Sequence, residues 1–192
     1  MAGKLYQAPA TDATNLCPSG GLTPAAAAAG TYTVTISDSL TNAANILAGG
    51  YMAVAVTPGE GYTYRVAANT AVTAATGMVV TLEDPIQVAL TASSRVIFAK
   101  SPYNGIIVMP TSITGAPVGV ANSIITAAYY GWVQTHGVCS ILNNGGTAIG
   151  LGITPGGAAG AVKSGATTLP DIGYCVTAGI TTEYDLFFLT ID

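Results

Sequence analysis

Between Lys100 and Lys163 the chain carries no Asp, Glu, Lys or Arg, and His136 is the only residue there that can take up a positive charge near neutrality. A soluble monomer normally covers its exterior with charged side chains, and a surface that lacks them promotes association. The scarcity extends to the whole molecule. Charged residues make up 7% of the sequence, against about 25% in an ordinary soluble domain. The exterior is therefore clothed in Thr, Ser, Asn, Gly and Tyr, or it is buried against other chains. Both alternatives favour a permanent assembly over a freely diffusing catalyst. A core is still affordable, because half of the 192 residues are hydrophobic.

The same electrostatics exclude several partners. With a net charge of −4 and only five Lys and Arg, spread as Lys4, Arg65, Arg95, Lys100 and Lys163, no basic face for phosphate contacts is expected. Gly, Pro, Asn or Thr interrupts every apolar run, so no transmembrane helix is expected. The opening MAGKLYQAPATDATNLCPSGG has no apolar h-region, and synthesis in a host cytoplasm without a secretory signal is the expectation. Cys17, Cys139 and Cys175 are odd in number and widely spaced, which reads as free thiols. A Cys139–Cys175 bridge is the one alternative, and it needs Cα atoms within about 7 Å.

Periodicity predicts an all-β chain. Residues 1–30 are aperiodic and rich in Pro, Gly and Ala, and read as an extended N-terminal arm. From Thr31 to Ser37, Tyr32, Val34 and Ile36 alternate with hydroxyl residues, as a half-buried strand requires. Similar segments follow at 51–56, 62–66, 78–82, 94–99 and 106–109, with a single weak helical turn at 38–48. Gly115-Ala116-Pro117 marks a boundary, so 31–115 reads as one β domain. Residues 116–192 read as a second β domain, or as the second half of one sandwich or barrel. In that half 118–126, 129–141, 148–154, 172–177 and 183–191 read as strands, and Asn143-Asn144-Gly145-Gly146 as a hairpin turn. The apolar Leu186-Phe187-Phe188-Leu189 predicts a central strand covered on both faces.

No constellation for chemistry emerges, and no catalytic, cofactor-binding or metal-binding residues are expected. His136 is the sole histidine, and no second group is placed to orient it as a base. His136 and Cys139, three apart on an extended strand, point to opposite faces, unlike the paired spacing of zinc ligands. Glu83-Asp84 precede a proline turn and lack nearby oxygen ligands for calcium. The glycine-rich 150–156 has no Lys-Ser/Thr and opens no helix, so it is not a phosphate loop.

The aromatic residues carry more information. Tyr129, Tyr130, Trp132, Gln134 and His136 lie on one predicted strand inside the uncharged stretch, and aromatics with a polar tip favour interfaces. They are the candidate interface, with the loop 150–165 as a further contact. Two groups of segments resemble small capsid-associated proteins of tailed bacteriophages. One group runs from Tyr64-Arg65-Val66 through Leu82-Glu83-Asp84-Pro85-Ile86 to Ser101-Pro102-Tyr103-Asn104-Gly105. The other is Tyr130-Gly131-Trp132-Val133-Gln134-Thr135-His136-Gly137 with Ile149-Gly150 and Ile172-Gly173-Tyr174. The resemblance covers residues 60–192 and implies a decoration, or cement, subunit. Such a subunit is a homotrimer on the outer capsid surface that binds the major capsid protein and stabilises the expanded shell. The alternatives are a tail-tube subunit, a fibre or head-spike module that binds a host glycan, and, at the far end, a capsid-associated hydrolase.

Overall fold

The computed structural model describes residues 2–165 and 169–191. All regular structure among them is β, and no α-helix occurs. In chain order the strands begin with β1 (Lys4–Gln7), β2 (Thr33–Ile36), β3 (Leu40–Asn42), β4 (Tyr51–Val56) and β5 (Thr63–Asn69). Next come β6 (Val72–Ala75), β7 (Met78–Leu82), β8 (Arg95–Ala99), β9 (Ile107–Val108) and β10 (Pro117–Ala121). The last are β11 (His136–Leu142), β12 (Gly152–Pro155), β13 (Val162–Ser164), β14 (Gly173–Cys175) and β15 (Tyr184–Thr190). The chain divides into two units, Thr11–Ser101 on one hand and Met1–Ala10 with Pro102–Asp192 on the other.

The unit 11–101 is built on an antiparallel sheet in the order β2-β7-β5-β4-β8, with β3 and β6 paired beside it. Its alternation works as written: Val34 lies opposite Val80 and Ile36 opposite Met78, and all four are fully buried. Met52, Val66, Val96 and Phe98 complete that core. The segment 22–27 is bound to it by bridges from Leu22 to Val96, Pro24 to Ile36 and Ala27 to Leu90. The turn after β3 hangs on buried Asn69, whose Oδ1 accepts from Leu47 N at 2.9 Å while its Nδ2 donates to Ala43 O at 2.9 Å.

The second unit holds a three-stranded sheet, β10-β1-β9, and a five-stranded one, β11-β15-β14-β12-β13. Leu5 faces Val120 across the first and is fully buried with Met109. Phe187 lies at the centre of the second, with Cys139 opposite it on β11 and Cys175 opposite it on β14. Two strand spacings, about 10 Å, separate those cysteines, too far for a disulfide, and all three thiols are free. Gly173 permits the close pairing of β14 with β15. A Cβ there would collide with the carbonyl of Phe188, and its φ of +152° disfavours other residues. A parallel bridge from Asn143 to Val162 ties the end of β11 to β13, so the sheet curls towards closure.

Several expectations need revision. The first 30 residues, read as an arm, are tied into both units: β1 is the middle strand of its sheet, while Leu16 and Leu22 are core residues of the other unit. The division falls at 101/102, not 115/116, because β9 pairs with β1 and not with its predecessor β8. The stretch 38–48 is not a helical turn; Leu40 and Asn42 pair with β6, and Asn45 turns the chain with φ +58°. Asn143–Gly146 does not close a hairpin, since the neighbour of β11 is β15 and the loop crosses to β13 instead. Residues 129–141 are not one strand, because β11 begins only at His136. Lastly, β15 lies inside its sheet, but one of its faces is only partly covered: Phe187 and Leu189 are buried while Phe188 is half-buried and Leu186 exposed.

Candidate interaction surface

The aromatic cluster sits on a loop, not a strand. Paired hydrogen bonds clamp its base, Val120 N to Gln134 O at 2.9 Å and Gln134 N to Val120 O at 2.8 Å. Inside it, Ile125 and Val133 pack against Tyr6, Val118 and Ala121. Ala128, with φ +65°, turns the loop, and Gly131 lets its backbone lie close to the Ile125 side chain. With the apolar interior thus occupied, the remaining large side chains turn outward. Tyr129 is 74% exposed, Trp132 90%, and Tyr130 fully. Each leaves apolar ring surface in water on a segment anchored at both ends.

Gln134 and His136, expected on the same face as Trp132, do other things. The Gln134 amide turns back on its own chain: Nε2 donates to His136 O at 2.9 Å and Val138 O at 3.0 Å, while Oε1 accepts from Asn122 Nδ2 at 2.7 Å. Those two carbonyls point away from β15, so the side chain seals the outer edge of β11. His136 stands on the outer face of the sheet, edge-on to Phe188 with ring centroids 5.1 Å apart. Tyr174 stacks on the other side of Phe188 at 5.0 Å and 8°. The register places Val138, Phe188 and Tyr174 side by side across three strands. This outer face was missed from sequence, although the unbroken apolar run of β15 is its signal.

A groove of about 520 Å³ runs between the loop and β9, lined by Tyr6, Tyr103, Asn104, Val108, Ile125 and Tyr130 among others. None of its lining residues is charged. It offers apolar walls and tyrosine hydroxyls, suited to neutral matter and poor for ions, whose desolvation it could not offset.

Burial pushes the Cys139 thiol up to about 11, which suppresses the nucleophilic thiolate. The His136 ring lies edge-on to the Phe188 ring. Glu83 pairs with Arg65 at 3.3 Å on the surface of the other unit. Among the described residues no three His, Cys, Asp or Glu side chains gather as a metal site would need. No protein-family model, curated protein or solved structure matches the chain.

Proposed function

We propose that the chain is a virion structural protein, a decoration subunit that seats on the outer surface of a tailed-phage head and stabilises its expanded shell. The observation that carries this reading is the anchored loop 122–134, which holds Tyr129, Tyr130 and Trp132 in solvent with no charge nearby in sequence. Aromatic anchors of this kind concentrate binding energy when they enter a partner's pocket. A neutral surface gains through shape and apolar burial, which suits a fixed lattice better than capture by long-range steering. Its action is mass action. A subunit that binds the expanded arrangement of the major capsid protein more tightly than the unexpanded one stabilises the former by that difference in binding free energy.

Co-sedimentation with purified heads before and after expansion tests this directly. Binding to expanded heads alone is expected; equal binding to both, or to neither, defeats the reading. A second reading has its own observation: the tyrosine-walled groove beside the loop would fit a neutral glycan. Binding of the purified protein to host cells, competed by free saccharide and without affinity for heads, would establish a fibre or head-spike module instead.

A further inference from the structure

Two asparagines in the sequence are followed by glycine, Asn104 and Asn144. Asparagine is thermolabile, and most so before glycine, which puts no Cβ beside its own nitrogen when that nitrogen turns on the asparagine side chain. Asn104-Gly105 lies in the bend between β8 and β9, and both residues are exposed. We infer that Asn104 is a site of spontaneous deamidation, whose conversion puts a carboxylate into the wall of the uncharged groove beside the loop 122–134. The inference goes beyond the decoration reading and does not depend on it.

The step consumes only water. Gly105 N attacks Asn104 Cγ and closes an imide ring, while the side-chain nitrogen leaves as ammonia, taking up the proton that Gly105 N sheds. Water then opens the ring. Opening at Cγ gives aspartate, and opening at the main-chain carbonyl reroutes the chain through the side chain as isoaspartate. Either product carries a negative charge where a neutral amide stood.

The structure favours position 104 on two counts. Among the described residues neither the Asn104 amide nor the Gly105 N–H makes a hydrogen bond, so no bond has to break before the attack. A Cβ placed on Gly105 would meet nothing within 4 Å, which leaves room for the ring to form. Asn144 is held differently. It is half-buried, and its N–H donates to Val162 O at 2.7 Å. Its side-chain oxygen lies where a Cβ on Gly157 would collide with it, and the Lys163 side chain crowds Gly145. Asn15, Asn69, Asn122 and Asn143 each donate the side-chain amide to a fixed acceptor, and each precedes a residue with a side chain. The consequence falls on the groove. Asn104 lines it beside Tyr103, Val108 and Tyr130, with no charged residue in the lining. A carboxylate there resists the loss of its water, so the converted groove is less suited to neutral apolar matter.

Incubation of the full chain in mildly alkaline buffer, followed by isoelectric focusing and peptide mapping by mass spectrometry, tests the inference. An acidic form should accumulate, faster as the pH is raised because the attacking nitrogen must shed its proton. Its mass gain should map to the peptide holding Asn104, which should convert at least several-fold faster than Asn144. Asn104→Gln should lose that form, since its longer side chain closes a ring far more slowly. Should the variant fail to fold, the map of the wild type still decides. Folded wild type that stays unconverted while the same chain converts in denaturant would overturn the inference. So would conversion of Asn144 ahead of Asn104, or a folded Asn104→Gln variant that keeps the full acidic form.

Discussion

The two units differ in how they finish their surfaces. In Thr11–Ser101 the exposed large hydrophobics are Tyr32, Tyr51, Val56 and Tyr62, three of them carrying a hydroxyl. The other unit, of similar length, exposes Ile107, Val108, Ile124, Val138, Ile149, Leu151, Ile180 and Leu186 besides its tyrosines and Trp132. The smaller unit holds eight charged residues, from Asp12 to Lys100, while the larger holds Lys4, Lys163, Asp171, Glu183, Asp185 and Asp192 and none from 102 to 162. Burial of aliphatic surface gives about 25 cal/mol per Å², so each exposed Ile or Leu is free energy that the single chain leaves uncollected. The larger unit leaves the ring side chains of the loop 122–134 and part of the outer face of its five-stranded sheet in solvent.

The largest effect expected concerns the two sides of β15. Phe187→Ala removes a fully buried ring at the centre of its sheet, and should cost about 3–5 kcal/mol of folding stability. Phe188→Ala, one residue on, removes a half-buried ring and its stack with Tyr174 and His136, and should cost about half as much. Denaturant unfolding of both variants, with assembly suppressed by dilution, measures the difference. Equal losses would mean that the outer face is covered within the single chain, and the contrast between the units would disappear.

That contrast was partly legible in the sequence. Alternation located β2, β4, β5, β7 and β8 to within a few residues, because each buries one face of a half-exposed sheet and period two survives. Short strands that rely on distant partners left no such trace. Lys4–Gln7 is a strand because β10 and β9 flank it, over a hundred residues away, and Val162–Ser164 because β12 folds back on it. The candidate site divides along the same line. The structure puts Tyr129, Tyr130 and Trp132 on a loop, because the strand predicted for them assumed a period that Ala128, with φ +65°, and the Val120–Gln134 clamp interrupt. The bonds from Gln134 to the edge of β11 were not legible, because a side chain that caps its own sheet edge looks, in sequence, like any polar surface residue.

The next effect belongs to the loop. Since Trp132 is 90% exposed, Trp132→Ala should change folding stability by no more than about 0.5 kcal/mol. Head binding should weaken by about 2 kcal/mol, roughly thirtyfold, if the indole is an anchor. Thermal unfolding and a binding isotherm on expanded heads give the two numbers. Unchanged binding would remove Trp132 from the contact and leave Tyr129 and Tyr130 to be tested in its place.

The smallest effects lie at the two ends of the pH scale, and each should touch a different unit. In Thr11–Ser101 the Asp12 carboxyl is held below its ordinary 3.8, chiefly by the backbone N–H of Asn15, with the Asn15 amide, Thr14 N–H and Lys100 adding to it. A depressed carboxyl stabilises the fold above its unfolded value, and the contribution is lost as pH falls below 3.8 through the lowered folded one. Because Asp12 is partly solvated, the loss should stay under about 1 kcal/mol. In the other unit burial raises Cys139 from 9.0 to about 11. The native state then holds a proton that the unfolded chain gives up, so stability is full below pH 9 and declines as pH rises towards 11, by at most about 1.4 kcal/mol per pH unit. Asp12→Asn should flatten the acid limb alone and Cys139→Val the alkaline limb alone, each followed by unfolding at fixed ionic strength. A single substitution that flattened both limbs would show that the units do not respond separately, and that their differing surfaces belong to one cooperative fold.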